Sequence, residues 1–193
     1  PGFHDYFKKN KYGENADFKT YTNGIDDLFL NNIKANVQKN SNNKKQIIYA
    51  GNIGFSQALE KTLPYVANIL QETHDFHIYG DGAGKQNLLS EIEINQCKNI
   101  ILHGPINREK LVDIYNNADI LYFQLAELDA FLRVIPSKLF EYSVYEKPIV
   151  AVVKGFSKSF VERELEGCYV AEPNNINNIV ETINKIKFNQ VFN

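Results

Sequence analysis

Several residue types are scarce or missing in this chain of 193 residues. There is no methionine and no tryptophan, and there are only two cysteines and four histidines. Because the chain starts at Pro1 and has no initiator methionine, we expect it to be a piece of a longer protein. Cys97 and Cys168 form no CxxC pair and the histidines have no ligand spacing, so we predict ordinary thiols and no metal site.

Long apolar runs and basic blocks are also missing. No run approaches the roughly 20 apolar residues that span a bilayer. The sequence also shows no secretory signal peptide, in which a charged segment precedes an apolar one. The 21 basic and 23 acidic residues are scattered and leave a net charge of −2, which does not suit a nucleic-acid backbone. We therefore expect a cytoplasmic protein that binds no nucleic acid, and whose full-length form could lie peripherally at the inner face of the membrane.

Short apolar runs alternate with helical patterns along most of the chain, and 44% of the residues are hydrophobic, enough for one core. The runs predict strands over Gln46–Ala50, Phe76–Tyr79, Ile100–His103, Asp119–Gln124 and Ile149–Val153. Helical spacing follows a capping Asn107, and Pro64 sets the start of the first helix near Leu63. Strict alternation predicts an α/β fold with a doubly wound, Rossmann-like parallel sheet of order 3-2-1-4-5.

The stretch from Pro136 to Tyr142 is predicted to be a loop followed by the start of a helix. Pro136 has a φ suited to a first helical turn and Ser137 can cap it, so free backbone amides would form an anion cradle there. Glu141 shares a helix face with Ser137 and Lys138, and its carboxylate can accept hydrogen bonds from hydroxyl groups. A phosphate beside a diol indicates a nucleotide.

The predicted topology directs two loops to the same crevice, where strands one and four separate. One is the glycine loop 51–57, whose missing side chains let backbone approach a ligand, and the other runs from Leu125 to Ile135. The glycine-rich string 80–85 lacks the P-loop spacing and follows the second strand. We interpret it as a tight strand-to-helix turn away from the switch point where strands one and four separate.

The order and spacing of these motifs resemble the donor-binding C-terminal half of GT-B glycosyltransferases of family 4, in the bacterial polysaccharide-assembly branch. The resemblance covers roughly residues 21–187. The matching segments are Thr22–Asp26 (an NGID turn), Tyr49–Gly54 (a first-strand glycine loop), Ile78–Gly82 (a GDG turn), Leu102–Ile106 (a nucleobase-side loop), and Pro136–Tyr142 with Lys147–Pro148 (the donor motif).

The resemblance implies that residues 1–30 are the tail of a missing N-terminal domain. Residues 46–187 would form a Rossmann-like nucleotide-sugar-binding domain, followed by a tail over 188–193. The stretch 31–45 is rich in Asn and Lys without a sustained period, which predicts a linker.

The resemblance also implies roles for individual residues. Glu141 matches the second Glu of the E-x7-E motif, which binds the ribose hydroxyls of the donor. Backbone at Pro105 and Ile106 would face the base. The diphosphate would be held by backbone of the helix start and the first glycine loop, that is Ser137, Lys138, Leu139, Gly51, Asn52 and Gly54. No residue of this chain is assigned as catalytic.

Several positions depart from the commoner family pattern. The first Glu of E-x7-E falls at Arg133, and the Arg and Lys that usually grip the diphosphate fall at Asn52 and Gln57. We infer that Lys138 and Arg133 supply the missing positive charge, since helix amides balance an anion only in part.

The implied activity is that of a retaining glycosyltransferase of the hexosyltransferase type in its full-length form, with no catalytic metal and no cofactor. The expected donor is a UDP-sugar, ahead of a GDP-sugar. A glycan or lipid-linked acceptor would bind through the missing domain, in capsular, lipopolysaccharide or other cell-surface glycan synthesis. We expect the isolated chain to be inactive.

Two other functions are found on folds of this kind. The nucleotide-binding half of a UDP-sugar epimerase of GT-B architecture stays open as the alternative. A signalling receiver domain is set aside, because the places of its carboxylates after the first and third strands hold Gly51–Asn52 and His103–Pro105.

Overall fold

A computed structural model describes residues 3–10, 17, 19, 21, 23–33 and 44–188 of the chain. Its centre is a parallel sheet of six strands in the order β3-β2-β1-β4-β5-β6. The strands are β1 (Lys45–Ala50), β2 (His74–Tyr79), β3 (Ile100–His103), β4 (Ile120–Gln124), β5 (Ile149–Val152) and β6 (Cys168–Ala171). The predicted fold class and the order 3-2-1-4-5 are confirmed.

Helices precede, connect and follow these strands. They are α1 (His4–Lys9), α2 (Asp27–Leu30), α3 (Leu63–Ile69), α4 (Lys85–Ile94), α5 (Arg108–Asn117), α6 (Ser137–Ser143), α7 (Phe156–Glu164) and α8 (Ile176–Asn184). Short 3-10 helices cover Leu59–Lys61 and Phe131–Arg133. No helix among the described residues is both long and apolar enough to cross a membrane.

The five predicted strands are confirmed. The bounds of β1, β4 and β5 differ from the prediction by one residue, and there are two larger differences. β2 begins at His74 rather than Phe76, because His74 and Asp75 pair with Lys45 and Gln46 of β1 although their side chains are polar. The sixth strand, β6, was not predicted. It is only four residues long and pairs with β5 alone, so its sequence carries little periodic signal.

Alternate residues of each strand face opposite sides of the sheet and enter two hydrophobic clusters. Ile47 and Tyr49 of β1 pack with residues of α3 and α8, whereas Ile48 and Ala50 pack with residues of α5, α6 and α7. The second cluster therefore joins the end of β1 to the two helices, α5 and α6, that border the crevice described below.

The predicted helix starts are confirmed at two places and wrong at a third. α3 begins at Leu63 with Pro64 in its first turn, and the Asn107 side chain caps α5 by accepting a hydrogen bond from the Lys110 amide at 3.1 Å. Ser137 does not cap α6. The cap position belongs to Pro136, whose extended ψ of 140° places Ser137 inside the first helical turn.

Residues 23–33 pack against the sheet domain. The Asp26 side chain caps α2 by accepting from the Leu28 amide at 2.9 Å, and it pairs with Arg108 at 3.0 Å. Phe29 is fully buried beside Tyr115, with ring centroids 6.0 Å apart. Most of the predicted linker, residues 34–43, and the tail 189–193 lie outside the described residues, and the predicted domain boundaries stay predictions.

Candidate functional site

A cavity of about 360 Å³ opens at the carboxyl ends of β1, β2 and β3. It lies beside the point where the strand order reverses between β1 and β4, the usual ligand position in open α/β sheets. Its lining residues are Ala50, Gly51, Asn52, Tyr79, Gly80, Asp81, Pro105, Ile106, Leu111 and Lys138. The structure thus brings the first glycine loop, the loop after β3 and the start of α6 to one cavity.

Half of the predicted donor-binding residues line this cavity, namely Gly51, Asn52, Pro105, Ile106 and Lys138. Gly54 is buried behind them. Ser137 is exposed at the start of α6. Leu139 is fully buried, and its amide donates to the Pro136 carbonyl at 3.2 Å, so this amide is engaged within the helix start.

Lys138 and Glu141 form an ion pair on one face of α6. The ammonium of Lys138 lies 2.7 Å from the Glu141 carboxylate, and about a fifth of each side chain is exposed, 22% and 19%. The same ammonium donates to the Tyr115 hydroxyl at 3.3 Å. Glu141 is therefore held next to the cavity through the one residue of α6 that lines it.

The first glycine loop uses much of its hydrogen-bonding capacity inside the protein. The Gly51 amide donates to the Tyr79 carbonyl at 2.9 Å and the Ile53 amide to the Asp81 carbonyl at 2.8 Å. The Gly54 amide donates to Oε1 of Gln57 at 3.2 Å. In this conformation these amides are not free to bind an anion. The arrangement therefore does not support the prediction that the backbone of this loop holds a diphosphate.

Asn52 and Gln57, which stand where the family pattern has Arg and Lys, interact with each other. The Asn52 side-chain amide donates to Oε1 of Gln57 at 3.2 Å. Neither carries charge, and Lys138 is the one cation among the described residues that line the cavity. Asp81, the one acid in that lining, pairs with Lys85 at 3.6 Å.

The second glycine string lies closer to the cavity than expected. It is a tight turn between β2 and α4, as predicted, with the Lys85 amide donating to the Gly82 carbonyl at 3.1 Å. The sheet order places it away from the switch point between β1 and β4, as predicted, but Gly80 and Asp81 nevertheless form part of the cavity wall. β1 and β2 are parallel neighbours, so their following loops meet at one edge of the sheet.

Arg133 does not reach this cavity. Its Nη1 donates to the Asp129 carbonyl at 2.6 Å, and its guanidinium lies 4.5 Å from the centre of the Tyr6 ring. It lines a second hollow of about 210 Å³, with Phe3, Tyr21, Asn23, Val134, Ile135, Phe140 and Phe156. A donor-binding role for Arg133 stays a prediction that this arrangement does not support.

Sequence reasoning missed the aromatic residues of the site. Tyr79 lines the cavity and stacks on His103 with centroids 4.1 Å apart and planes 6° apart. Nδ1 of His77 lies 3.0 Å from Nε2 of His103, and burial lowers the pKa of both histidines. The pairing of Tyr79 with His103 in neighbouring strands was the available signal, but it requires the β2–β3 register.

The described residues contain no group of three or more metal-ligating side chains. The cavity offers backbone groups, one aromatic ring and an ammonium held beside a carboxylate. An ammonium binds anionic oxygens and a carboxylate accepts from hydroxyls, so the pair suits a ligand that carries both.

Solved structures that share this fold are glycosyltransferases of GT-B architecture. A glycosyltransferase from Rickettsia africae matches with a TM-score of 0.60 and 17% identity, over 74% of this chain and 37% of that chain. A TarM mutant from S. aureus, in complex with fondaparinux, alpha-GlcNAc-glycerol and UDP, matches with a TM-score of 0.57 and 18% identity, over 78% and 31%. Anabaena Alr3699/HepE in complex with UDP-glucose gives 0.61 and 14%, over 74% and 38%.

The family model for group 1 glycosyl transferases matches residues 31–190. The chain therefore belongs to the group 1 glycosyltransferases, and it is a domain of their donor-binding type. It spans between 31% and 38% of the length of the three solved proteins above. No curated protein matches the sequence.

Replacing Gly80 should disturb the cavity wall. A Cβ at this position would lie 1.9 Å from the Gly51 carbonyl oxygen, on a backbone with φ of +148°. We expect Gly80→Ala to lower the free energy of unfolding by at least about 2 kcal/mol in urea titrations. Gly104→Ala is the matched control, since its Cβ would meet nothing within 4 Å. Equal stabilities of the two variants would contradict this.

Acid should destabilise the protein through His74, which is buried, and through the half-buried His77 and His103. Burial lowers the pKa of His74, His77 and His103 from the ordinary 6.5, so folding favours their neutral forms. Their stability contribution is complete above pH 6.5 and is lost as the pH falls from there toward the folded values. We expect the free energy of unfolding to fall over that interval, and less steeply in His103→Phe, which keeps a ring on Tyr79. An unchanged slope in the variant would exclude His103 as a contributor.

Proposed function

We propose that this chain is the nucleotide-sugar-binding half of a retaining glycosyltransferase, with a UDP-sugar as its donor. The observation that carries the proposal is the Lys138–Glu141 pair, 2.7 Å apart, at a cavity that lies beside the strand-order reversal. Support for UDP comes from the solved relatives, two of which were crystallised with UDP or UDP-glucose.

In this arrangement the base lies against the loop after β3, where Pro105 and Ile106 line the cavity. The ribose hydroxyls donate to Glu141, and the diphosphate lies near Lys138.

Lys138 and Glu141 can bind a ligand without first losing each other. An ammonium has three N–H donors, and those of Lys138 supply one to Glu141 and one to Tyr115, which leaves one for a phosphate oxygen. A carboxylate has about four acceptor sites, so Glu141 keeps acceptors for two ribose hydroxyls.

Charge at the diphosphate is only partly neutralised by this site. Lys138 is the one positively charged residue among the described residues that line the cavity, and Asn52 and Gln57 are neutral. We therefore propose modest affinity for free nucleotide, and a site in which much of the phosphate charge stays solvated.

The wider proposal follows the family pattern. The full-length enzyme is a hexosyltransferase of family 4, in its polysaccharide-assembly branch, that uses no metal and works on the cytoplasmic side in cell-surface glycan synthesis. Its acceptor, a glycan or lipid-linked glycan, binds a second domain. The alternative is a UDP-sugar epimerase of the same architecture, whose nucleotide would occupy the same cavity.

Glu141→Ala should weaken nucleotide binding. The variant loses charge-assisted hydrogen bonds to the ribose, worth about 1.5 to 3 kcal/mol, which is a loss of roughly ten- to a hundredfold in affinity. Calorimetric titration with UDP and GDP measures it. Glu146→Ala removes the same charge from an exposed position just beyond α6 and should bind as the wild type does. Equal affinities of all three proteins would remove Glu141 from the site.

Binding should need no divalent ion. The described residues hold no cluster of carboxylates or histidines that could retain one, and Mg²⁺ prefers oxygen-rich sites. We expect the same UDP affinity in metal-free buffer, with EDTA and with added Mg²⁺. A loss of affinity on adding EDTA would contradict the metal-free proposal.

The isolated chain should bind donor nucleotide but transfer no sugar. Transfer requires donor and acceptor to be held together in a reactive geometry, and the proposed acceptor wall belongs to another domain. Incubation with UDP- and GDP-sugars and glycan or lipid acceptors should release no more UDP or GDP than buffer does. Multiple-turnover transfer would overturn the half-enzyme proposal, and epimerised UDP-sugar in assays of the full-length protein would favour the alternative.

A further inference from the structure

The ammonium of Lys138 lies against a buried group of tyrosines. Its Nζ atom is 3.3 Å from the Tyr115 hydroxyl, 5.9 Å from the centre of the Tyr115 ring and 5.8 Å from that of Tyr142. Both rings are fully buried. A cation at these distances is attracted by the ring faces as well as by the hydroxyl oxygen.

These rings are themselves held in place. Tyr115 and Tyr142 pack edge to face with centroids 5.1 Å apart, and Tyr145 packs edge to face on Tyr115 at 5.3 Å. The hydroxyl of Tyr142 accepts a hydrogen bond from the Ala50 amide at 3.2 Å. Because Ala50 is part of the cavity wall, the position of the ammonium is tied to the end of β1.

Lysine has a flexible four-carbon stem and a single charged end, so fixing its side chain when a ligand binds costs conformational entropy. That cost is smaller when other groups of the protein already hold the ammonium in place. Glu141 holds Lys138 from its own helix, three residues away, and this contact alone leaves the ammonium free to follow the carboxylate. Tyr115 belongs to α5 and approaches from another side. Its buried hydroxyl stays neutral, since burial raises its pKa, and so it remains an acceptor.

We propose that Tyr115 is a positioning residue that holds the Lys138 ammonium at the cavity, where it meets the diphosphate of the donor. This proposal rests on the proposed function and adds a residue of α5 to the site. Tyr115 contacts the ammonium and is not among the residues that line the cavity, so we expect its effect on binding to run through Lys138.

The decisive variant is Tyr115→Phe, which keeps the buried ring and removes only the hydroxyl. The Tyr115 hydroxyl contacts both the Lys138 ammonium and the Tyr142 hydroxyl, and the variant loses both contacts. Losing the hydrogen bond that orients the charged group should weaken UDP binding about three- to tenfold. Tyr145→Phe is the matched control, because the buried Tyr145 hydroxyl has no hydrogen-bond partner among the described residues. That control should bind UDP as the wild type does, and thermal unfolding of each variant reports whether it is folded.

A double-mutant cycle separates positioning from a general structural effect. UDP affinity is measured by calorimetry for the wild type, Tyr115→Phe, Lys138→Gln and the double variant. Loss of the Tyr115 hydroxyl should have less than a twofold effect once Lys138 is gone. Uridine, which has no phosphate, should bind Tyr115→Phe and wild type equally in NMR titrations. Equal losses in both backgrounds, equal losses for UDP and uridine, or no loss of UDP affinity in Tyr115→Phe would overturn the proposal.

A measurement without nucleotide keeps this proposal distinct from the proposed function. Lysine-selective NMR, with Lys138→Gln for assignment, follows the ammonium protons of Lys138 directly. We expect a protected ammonium signal in the wild type and in Tyr145→Phe, and faster exchange with solvent in Tyr115→Phe. Identical exchange in all three proteins would overturn the positioning role. A wild type that shows the protected signal but binds neither UDP nor GDP would instead overturn the proposed function.

Discussion

The close approach of two backbone loops determines the shape of the site. A Cβ on Gly82 would lie 2.5 Å from the Ile53 carbonyl oxygen, so the loop after β2 can reach the loop after β1 only without a side chain there. Amides of Ile53 and Gly84 then donate to the carbonyls of Asp81 and Ile53 at 2.8 Å. One wall of the cavity is consequently formed by paired backbone segments.

A single buried amide holds the other side of the first loop. Gln124, 2% exposed at the end of β4, accepts hydrogen bonds from the hydroxyls of Thr62 and Tyr122 and donates to the carbonyls of Gln57 and Ala58. The amide thus uses both its oxygen and its nitrogen. It links β4 to the loop after β1, across the point where the strand order reverses. The irregular segment after β1 keeps one conformation because its backbone has this partner.

Much of the fold could be predicted from local patterns, because buried strands and helix starts leave their mark within a few residues. The predictions for β3, Asn107 and Pro64 are confirmed for that reason. What local patterns could not predict depends on contacts between distant parts of the chain. Arg133 lies against Tyr6 and not at the cavity. Tyr115 fits the apolar spacing of a helix in the sequence, which does not indicate that its hydroxyl accepts a hydrogen bond from Lys138. The candidate site was therefore predicted in its loops and missed in its aromatic residues.

The packing of α2 has a consequence for shortened versions of the protein. The family match starts at residue 31, just beyond α2, which would suggest cutting the chain there. That cut would remove Phe29, whose ring lies buried against Tyr115, and with it the partner of an apolar surface of about 150 to 250 Å². The uncovered surface would belong to the helix that holds Tyr115, and the truncated protein would lose the stability that burial of this ring contributes. A stable shortened chain therefore has to begin ahead of Asp26, whose side chain caps α2 and pairs with Arg108.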